Sequence, residues 1–425
     1  MTPDLDERAA AILRANDRGG YTVPTAGLYP YQWNWDSGLA ALGFAQFDLD
    51  RAWRELETLA EAAWPNGMWP HIVFRADDPD YFPGPSVWDA GGEAAFPSSG
   101  VSQPPVAISM ARLLYERDPE FGRPRLAALM PKLLAWRDWF RRDRAGHGGA
   151  ILITHPWESG RDNAPDWDAA LANVSAEGVG PYTRRDTAHV DPAMRPTRAE
   201  YDRYIALVSW GRAAGWDTGR IAREGPFAVA DPATTFILMR ADRDLMALAE
   251  ALGEAEAARR IAADLDRAGD AAAALWSDAL GAYVARDERT GRQADCISSA
   301  AFLAWYGGMR DPNREGRLMT TLRAVLQAAP RALPSLDPRD PRFDARRYWR
   351  GPVWAFINWM VARGLAEAGH HAEAARLRAD TRALIEGAGF CEYFDPTDGS
   401  GAGGREFSWT AAVWLAWASP AHEEG

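Results

Sequence analysis

Apolar residues recur every three to four positions along most of this chain, which is the spacing of helices with one buried face. Few segments alternate as β-strands do, and no strand–helix–strand repeat is visible. Runs rich in Ala, Leu and Arg, such as "RADRDLMALAEALGEAEAARR" (240–260), favour helices because these residues have high helix propensity. The pattern predicts about a dozen helices, at 4–16, 37–63, 101–117, 124–143, 198–215, 232–252, 253–276, 293–307, 313–328, 351–369, 371–387 and 407–418.

The connections between these helices alternate in character. Some are short polar turns such as "LGEAEAARR", and others are long segments rich in Trp, Pro, Gly and Asp. Long irregular connections in a compact helical domain are usually functional. When antiparallel helices pair around a ring, alternate connections fall at the same end. We therefore predict an all-α fold, an (α/α)6 barrel forming a single domain over residues 1–425, with the long aromatic-rich loops at one mouth.

Composition limits the classes of partner and compartment. Hydrophobic residues make up 47% and charged residues 25% of the 425 residues, as in ordinary globular proteins. The net charge of −12 argues against nucleic acid and anionic membranes as partners. It does not exclude association with further copies of the same chain as a homo-oligomer. Cys296 and Cys391 are too few for a disulfide framework. Because the start of the chain is acidic and no apolar run reaches the ~18 residues of a spanning helix, a cytoplasmic protein is expected.

Twenty Trp, beside 12 Tyr and 15 Phe, are the unusual feature of the composition. Many of them must be core residues between packed helices. Others lie in segments rich in Pro and Gly, including "YPYQWNWDSG", "WPNGMWPHIVF" and "RRYWRGPVW". Flat indole faces on loops suit a ligand with apolar C–H faces and polar edges. A sugar is such a ligand, so a small-molecule sugar is the predicted partner.

One short stretch, "HPWESGRDNAPDWDAAL" (155–171), combines indole rings with four candidate carboxylates, Glu158, Asp162, Asp166 and Asp168. Asp166 and Asp168 are interpreted as caps or dipole partners of the following helix. Asp162 follows a Gly that permits a tight turn and lies five residues from a Trp on either side. A carboxyl held against indole rings has a raised pKa and can donate a proton near neutrality. Asp162 is therefore the predicted general acid.

A second carboxylate is expected from the segment "CEYFDPTDGSGAGGREFSWTAAVW". Asp395 and Asp398 lie in the turn sequence "DPTDG" and are interpreted as structural. Glu406 has the position of a carboxylate at a helix start. Glu392 lies outside the turn and is the better candidate for the general base. One acid and one base are the usual equipment for hydrolysis of a glycosidic bond.

These motifs resemble glycoside hydrolase family 63, in particular its small bacterial mannosylglycerate and glucosylglycerate hydrolases. The resemblance implies an (α/α)6 barrel and hydrolysis with inversion at the anomeric carbon. It places the general acid on Asp162 and the general base on Glu392. The matching segments follow the family's order over nearly the whole chain: "YQWNWDSG" (31–38), "SGVSQPPV" (99–106), "WESGRDNAPDWD" (157–168), "RPTRAEYDRY" (195–204), "YWRGPVW" (348–354) and "EYFDPTDG…FSWTAA" (392–412).

The resemblance also implies roles for ten substrate-binding residues. Trp35 and Asp36 would line the subsite of the cleaved sugar. Arg195 and Tyr201 would hold the carboxylate of glycerate. Tyr29 and Gln103 resemble the family's lid and pocket residues. Tyr348, Trp349 and Trp354 would build the aromatic wall, and Tyr81 would lie on a mobile loop that closes over the site.

Other interpretations of some residues stay open from the sequence. Asp36 and Arg350 could form a buried ion pair between two helices, and Arg195 could be a surface Arg before a helix. Trp359 is expected in the core. The seven His show no spacing typical of a transition-metal site, and "DPTDGSG" lacks the full spacing of an EF-hand loop. No metal or other cofactor is therefore expected.

The predicted function is an inverting α-glycoside hydrolase acting on glucosylglycerate or mannosylglycerate. One alternative is an α-glucosidase acting on a neutral disaccharide such as kojibiose, nigerose or a trehalose-like sugar. The distinguishing feature is the second subsite, because a carboxylate-bearing leaving group favours an Arg partner. A non-catalytic sugar-binding barrel is a weaker alternative, since it would not need both Asp162 and Glu392. A helical-repeat interaction protein is excluded by the absence of a fixed-period repeat.

Overall fold

The computed structural model describes residues 4–90, 92 and 94–423. Seventeen α-helices lie in this part of the chain: α1 (Leu5–Asn16), α2 (Asn34–Phe44), α3 (Leu49–Glu61), α4 (Pro85–Trp88), α5 (Val106–Arg117), α6 (Pro119–Asp143), α7 (Asp168–Ala172), α8 (Asp186–His189), α9 (Arg198–Ala213), α10 (Thr218–Glu224), α11 (Pro232–Leu252), α12 (Ala255–Ala273), α13 (Leu303–Gly307), α14 (Pro312–Ala328), α15 (Ala355–Glu367), α16 (His371–Ala388) and α17 (Ser408–Val413).

Short 3₁₀ helices, one π-helix and nine two-residue strands complete the secondary structure of the described residues. The 3₁₀ helices are Pro156–Ser159, Pro165–Trp167, Pro192–Met194, Ser299–Phe302 and Pro420–Glu423, and the π-helix is Trp414–Ala418. The strands pair antiparallel as β1–β2, β3–β4–β7, β5–β6 and β8–β9. They are β1 (Gln32–Trp33), β2 (Ile72–Val73), β3 (Leu152–Ile153), β4 (Val229–Ala230), β5 (Trp276–Ser277), β6 (Ala282–Tyr283), β7 (Arg286–Asp287), β8 (Tyr393–Phe394) and β9 (Gly401–Ala402).

Six of the helices form a closed inner ring. Helix α2 packs on α5, α5 on α11, α11 on α13, α13 on α15, α15 on α17, and α17 on α2 again. Helices α1, α3, α6, α12 and α16 pack outside this ring, and α14 lies between α13 and α15 in the chain. Every residue of α2 is buried, as expected of a helix surrounded by other helices. The predicted (α/α)6 barrel is confirmed.

Five of the loops that lead from outer to inner helices fall at one end of the ring. The long segments between α1 and α2, α3 and α5, α6 and α11, α14 and α15, and α16 and α17 each supply residues to one cavity. The predicted mouth with long aromatic-rich loops is therefore present. Two-residue strand pairs such as β1–β2 and β8–β9 tie these loops together.

Some helix boundaries differ from the prediction, mainly where a capping side chain or a proline sets the first residue of a helix. The predicted helix 37–63 is broken into α2 and α3, because the Asp48 side chain caps α3 by accepting from the Arg51 N–H. The predicted helix 101–117 begins only at Val106, after two prolines. In 293–307 only the second half is helical. The apolar spacing of the sequence did not predict the short helix α10.

No helix among the described residues is long and apolar enough to cross a membrane. The longest helix, α6, contains two internal prolines and many charged residues. Cys296 and Cys391 are both buried free thiols. Trp359 is 5% exposed and lies beside Tyr306, which confirms its expected place in the core.

Candidate active site

A cavity of about 100 Å³ opens at the mouth of the barrel. It brings together Asp162 and Glu392, which lie far apart in the sequence. Eight of the ten predicted substrate-binding residues also line it: Tyr29, Trp35, Asp36, Tyr81, Gln103, Arg195, Tyr201 and Tyr348.

The loop that carries Asp162 is shaped by local sequence. The His155 side chain caps the 3₁₀ helix Pro156–Ser159 by accepting from the Trp157 N–H. Gly160 then has a φ of +71°, and a Cβ at this position would lie 2.3 Å from the Trp35 ring. Only Gly satisfies both conditions. The Tyr204 hydroxyl donates to the backbone carbonyl of Asp162 at 2.9 Å, and this hydrogen bond holds the backbone of Asp162 in place.

Two buried ion pairs fasten the same loop to the barrel. Glu158 pairs with Arg144 at 2.9 Å, and both side chains are fully buried. Arg161, next to Asp162, donates to Asp231 at 2.6 Å at the start of α11. Because a buried charge without its partner is strongly destabilising, these pairs restrict the loop to one conformation.

The other carboxylates of this stretch are structural. Asp166 accepts from Ser298 at 2.7 Å and pairs with Arg161. Asp168 lies in the first turn of α7 and pairs with Arg350. Both lie at helix starts as expected, although the N-cap positions of these two helices are occupied by Ala164 and Trp167.

The surroundings of Asp162 favour its protonated form. Burial raises the pKa of Asp162 to about 8, and the negative charge of Glu392 acts in the same direction. The positive charge of Arg195 partly opposes the shift. At neutral pH the Asp162 carboxyl therefore carries a proton that it can donate, as a general acid requires.

This pKa leads to a testable pH dependence. We expect kcat/KM to fall as the pH rises through about 8, because Asp162 then loses the proton that it must donate. A raised pKa means that the folded chain binds this proton more tightly than the unfolded chain, so the folded state is weakened as the pH rises from the usual 3.8 to about 8.

Two measurements check this expectation. A pH–rate profile gives the first, and the free energy of unfolding as a function of pH, in wild type and Asp162→Asn, gives the second. The Asn variant should lack this part of the pH dependence because it has no proton to lose. A kcat/KM that stays constant well above the pKa of about 8 would identify another group as the acid.

Glu392 is held from three sides just before β8. It is fully buried and accepts from the Tyr29 hydroxyl at 3.0 Å, the Gly404 N–H at 2.8 Å and the Arg195 guanidinium at 3.0 Å. Gly403, with a φ of +72°, leaves room for this contact, since a Cβ there would lie 2.3 Å from Glu392 Oε2. All three partners are donors, which suits an acceptor-only carboxylate.

Arg195 lies inside the site and is 2% exposed, so the interpretation as a surface residue is wrong. Its guanidinium donates to Glu392 and to the Tyr29 hydroxyl, and stacks 4.5 Å from the centre of the Tyr348 ring. Its predicted contact with a glycerate carboxylate stays a prediction. The contact present in the structure is with the candidate base.

Asp36 is buried in the first turn of α2, and its Oδ1 atom has no hydrogen-bond partner among the described residues. Burial and the nearby Glu392 raise the pKa of Asp36 well above its usual range. The alternative ion pair with Arg350 is wrong, because Arg350 pairs instead with Asp168 and Glu200. An unpartnered buried acceptor lining a cavity suits a sugar hydroxyl.

The aromatic wall differs from the expected one. Tyr348 lines the cavity, whereas Trp349 and Trp354 stack face to face behind it, with ring centroids 3.9 Å apart and planes 4° apart. Trp349 supports the lining residue Trp35, whose ring centroid lies 6.1 Å away. The two Trp thus support the wall without lining it.

Gln103, Tyr81 and Tyr201 hold neighbouring parts of the lining. Gln103 accepts from the Trp35 N–H at 3.1 Å. The Tyr81 ring packs edge-on against Tyr31 and Trp33. The Tyr201 hydroxyl donates to the Phe82 carbonyl at 3.4 Å, which connects α9 to the loop that carries Tyr81.

Several lining residues were not singled out from the sequence: Trp33, His71, Trp157, Arg185, Asp186, Phe407 and Trp409. Trp33, Trp157 and Trp409 lie inside motifs already described, so proximity to the chosen residues was an available signal. Arg185 and Asp186 lie in "YTRRDTAH", which matches none of the motifs.

The remaining carboxylates near Glu392 stay outside the cavity lining. Asp395 accepts from Thr397 and Asp398 from the Ser400 N–H, so both stabilise the turn as expected. Glu406 was expected at a helix start. It directly precedes the N-cap residue of α17 with a φ of +49°, is exposed and pairs with Arg8.

The chain resembles known proteins over nearly its whole length. The family model of the mannosylglycerate hydrolase MGH1-like glycoside hydrolase domain matches residues 29–410. A mannosylglycerate hydrolase of Thermus thermophilus is 45% identical, over 96% of this chain and 99% of the relative. A glucosylglycerate hydrolase of Mycolicibacterium hassiacum is 35% identical, over 98% of both chains.

A solved structure agrees with the fold described above. A family 63 mannosylglycerate hydrolase of Thermus thermophilus, crystallised in complex with Tris and D-glycerate, superposes with a TM-score of 0.93 at 45% identity. The match covers 97% of this chain and 100% of the other.

Proposed function

We propose that this chain, which belongs to the mannosylglycerate hydrolase MGH1-like family of glycoside hydrolases, cleaves an α-linked mannosyl or glucosyl glycerate. One observation carries the proposal. A carboxyl that keeps its proton at neutral pH, Asp162, and a carboxylate surrounded by donors, Glu392, line the same aromatic cavity. The names of the relatives, which describe hydrolysis of mannosylglycerate and glucosylglycerate, support the choice of substrate.

In the proposed reaction Asp162 protonates the glycosidic oxygen of the leaving group. Glu392 removes a proton from a water that attacks the anomeric carbon from the opposite face of the sugar. Attack from that face inverts the configuration, so an α-glycoside releases a β-sugar. We expect the two carboxyls to lie ~6.5–9.5 Å apart, the usual separation in inverting glycosidases.

We propose that the cleaved sugar lies against Trp35, with one of its hydroxyls donating to the unpartnered Oδ1 of Asp36. Indole faces and polar edges match the two kinds of surface that a pyranose presents. Tyr348 supplies a further ring to this wall. Of the sequence-based roles, the glycerate contacts of Arg195 and Tyr201 remain proposals.

We also infer a single catalytic domain over residues 1–425 and a cytoplasmic location. The match of the family model to residues 29–410 supports the first. The second rests on composition, namely two cysteines in 425 residues.

The stereochemical prediction is the release of the β-anomer. Proton NMR recorded during turnover of mannosylglycerate and glucosylglycerate should show the β-anomer of the free sugar before mutarotation mixes the two forms. Initial release of the α-anomer would contradict the proposed roles of Asp162 and Glu392.

A substrate screen tests the leaving group separately. Mannosylglycerate, glucosylglycerate, kojibiose, nigerose and trehalose would be compared by kcat/KM. We expect one of the two glycerate compounds to be preferred. Preference for a neutral disaccharide would leave only an inverting α-glycosidase, and hydrolysis of none would favour a sugar-binding barrel.

A further inference from the structure

One of the fully buried carboxylates lies behind the first turn of α2 and outside the cavity lining. Glu55, on the outer helix α3, accepts four hydrogen bonds, two on each oxygen. The donors are the Thr22 N–H at 3.1 Å and its hydroxyl at 2.7 Å, the Ser37 hydroxyl at 2.6 Å and the Arg51 guanidinium at 2.7 Å. Burial of a carboxylate is costly unless its oxygens are paired. Since three of the four donors are neutral, Glu55 holds more of the structure than its cation Arg51.

Ser37 connects this carboxylate to the candidate active site. Its hydroxyl donates to Glu55 and accepts from the Gln32 side-chain amide at 3.0 Å, and all three side chains are fully buried. Ser37 directly follows Asp36 in the first turn of α2, and Asp36 lines the cavity. A displacement of the Ser37 backbone would therefore displace the Asp36 carboxyl.

The first turn of α2 depends on tertiary contacts of this kind. Its N-cap residue, Trp33, makes no side-chain capping hydrogen bond within the described part of the chain, although the start of a helix leaves several backbone N–H groups without an intrahelical partner. Gln103 accepts from the Trp35 N–H at 3.1 Å and so holds the backbone before Asp36. The Ser37 hydrogen bond holds the backbone after it. Loss of this second contact would release one side of the turn.

Both ends of this series of hydrogen bonds are anchored. On one side Gln32 accepts from the Arg75 guanidinium at 2.6 Å. On the other side Arg51 donates to both carboxylate oxygens of Asp17, at 2.9 and 3.0 Å. The Asp17 side chain is 26% exposed, so the series runs from the surface to the wall of the cavity. Because its neighbours are anchored, Glu55 offers the helix an acceptor at a constant position.

We propose that Glu55 is a positioning residue, which fixes the orientation of the Asp36 carboxyl through its hydrogen bond with Ser37. The inference rests on the proposed function, in which Asp36 accepts from a hydroxyl of the cleaved sugar. Hydrogen bonds to sugar hydroxyls strengthen in the transition state of glycosidases, so the alignment of Asp36 bears on kcat. A misplacement of ~1 Å can lower a rate about 100-fold.

The first test is Ser37→Ala, which removes the hydroxyl that joins Glu55 to the turn. We expect kcat on the preferred glycerate compound to fall at least about tenfold, because Asp36 loses its fixed orientation, while KM changes less than about threefold. The matched control is Ser109→Ala, the same change at a buried serine of the inner helix α5 that lies outside the cavity lining. The control should retain wild-type kinetics. An unchanged kcat in Ser37→Ala would overturn the inference.

Two further variants separate positioning from a general loss of stability. Glu55→Gln removes the charge but keeps an oxygen that can accept from Ser37, so it should lose less of kcat than Ser37→Ala. Asp17→Asn weakens the ion pair with Arg51 and leaves the Ser37 contact in place, so it should lower the melting temperature without lowering kcat. Melting curves establish that each variant is folded. If kcat fell as far in Asp17→Asn as in Ser37→Ala, the series would be merely structural and the positioning role would be refuted.

Combination with Asp36→Asn tests the route from Ser37 to the sugar. If Ser37 acts through Asp36, then Ser37→Ala should lower kcat at least about tenfold in wild type but less than about twofold in Asp36→Asn, which lacks the carboxyl to be positioned. Equal losses in the two backgrounds would mean that Ser37 acts on another part of the site, contrary to the proposal.

Crystal structures of wild type and Ser37→Ala give a readout that does not depend on hydrolysis. The Asp36 carboxyl should have one orientation in wild type, and a displaced orientation or more than one in the variant. The same single orientation in both would contradict the positioning role. If wild type hydrolyses neither glycerate compound, the proposed substrate is wrong, and this comparison still decides whether Ser37 positions Asp36.

Discussion

Replacing Glu392 by Gln, or Asp162 by Asn, should lower kcat on the preferred substrate by at least about 100-fold, the lower end of what a positioned proton transfer contributes. Glu392 would lose the basicity needed to deprotonate water, and Asp162 would lose the proton for the leaving group. Both changes keep the size of the side chain, so the fold should survive. Steady-state kinetics and a melting curve for each variant make the comparison.

The same part of the chain offers matched controls. Glu406→Gln and Asp398→Asn change carboxylates close to Glu392 in sequence that are exposed and absent from the cavity lining. Both should retain wild-type turnover. A substrate with a leaving group that needs no protonation, such as a glycosyl fluoride, should restore much of the activity of Asp162→Asn but not of Glu392→Gln. Near-normal turnover of either active-site variant would show that the wrong carboxylate was assigned.

Replacing Arg195 by Met should lower both stability and turnover. It removes the cation from Glu392, whose side chain is fully buried, and breaking a buried ion pair typically costs about 3–5 kcal/mol. The candidate base would also lose one of the contacts that orient it, so kcat should fall for neutral and anionic substrates alike. Urea unfolding and kcat on both substrate types measure the two effects.

A double variant tests whether the loss of stability in Arg195→Met comes from the unpaired buried charge of Glu392. Arg195→Met with Glu392→Gln leaves no uncompensated buried charge, so it should be more stable than Arg195→Met alone. Arg8→Met is the control for an exposed pair and should change stability by less than about 1 kcal/mol. If Arg195→Met instead raised only the KM for glycerate compounds, Arg195 would serve the leaving group alone, as the sequence-based role implies.

The catalytic candidates could be chosen from sequence because their signals are local. Asp162 lies between two Trp after a Gly, and this neighbourhood implies a buried carboxyl with a raised pKa. Glu392 was selected because the Asp residues after it form a turn, and the structure shows that turn. Such features depend on residues a few positions away, so the chain order alone conveys them.

The wrong or missing assignments involve partners far apart in the chain. Asp36 and Arg350 have opposite charges and suitable helices, yet Arg350 contacts Asp168 and Glu200. Trp349 and Trp354 were expected to line the wall, but they stack on each other behind Tyr348, and Trp349 packs against the distant lining residue Trp35. A charged or aromatic side chain often has several possible partners. The packing of the helices decides which of them it contacts, and a short sequence motif does not contain that information.

The amino-acid sequence alone predicts the amphipathic helices, the closed barrel that buries their apolar faces, the gathering of the long loops at one mouth of the barrel, and the two candidate carboxylates. These follow from the spacing of apolar residues, from turn residues and from local burial. The pairing of Arg195 with Glu392, and of Arg185 with Asp78, is instead visible only in the folded protein. Each of these pairs joins separate loops, and its members become neighbours only after the ring of helices has closed.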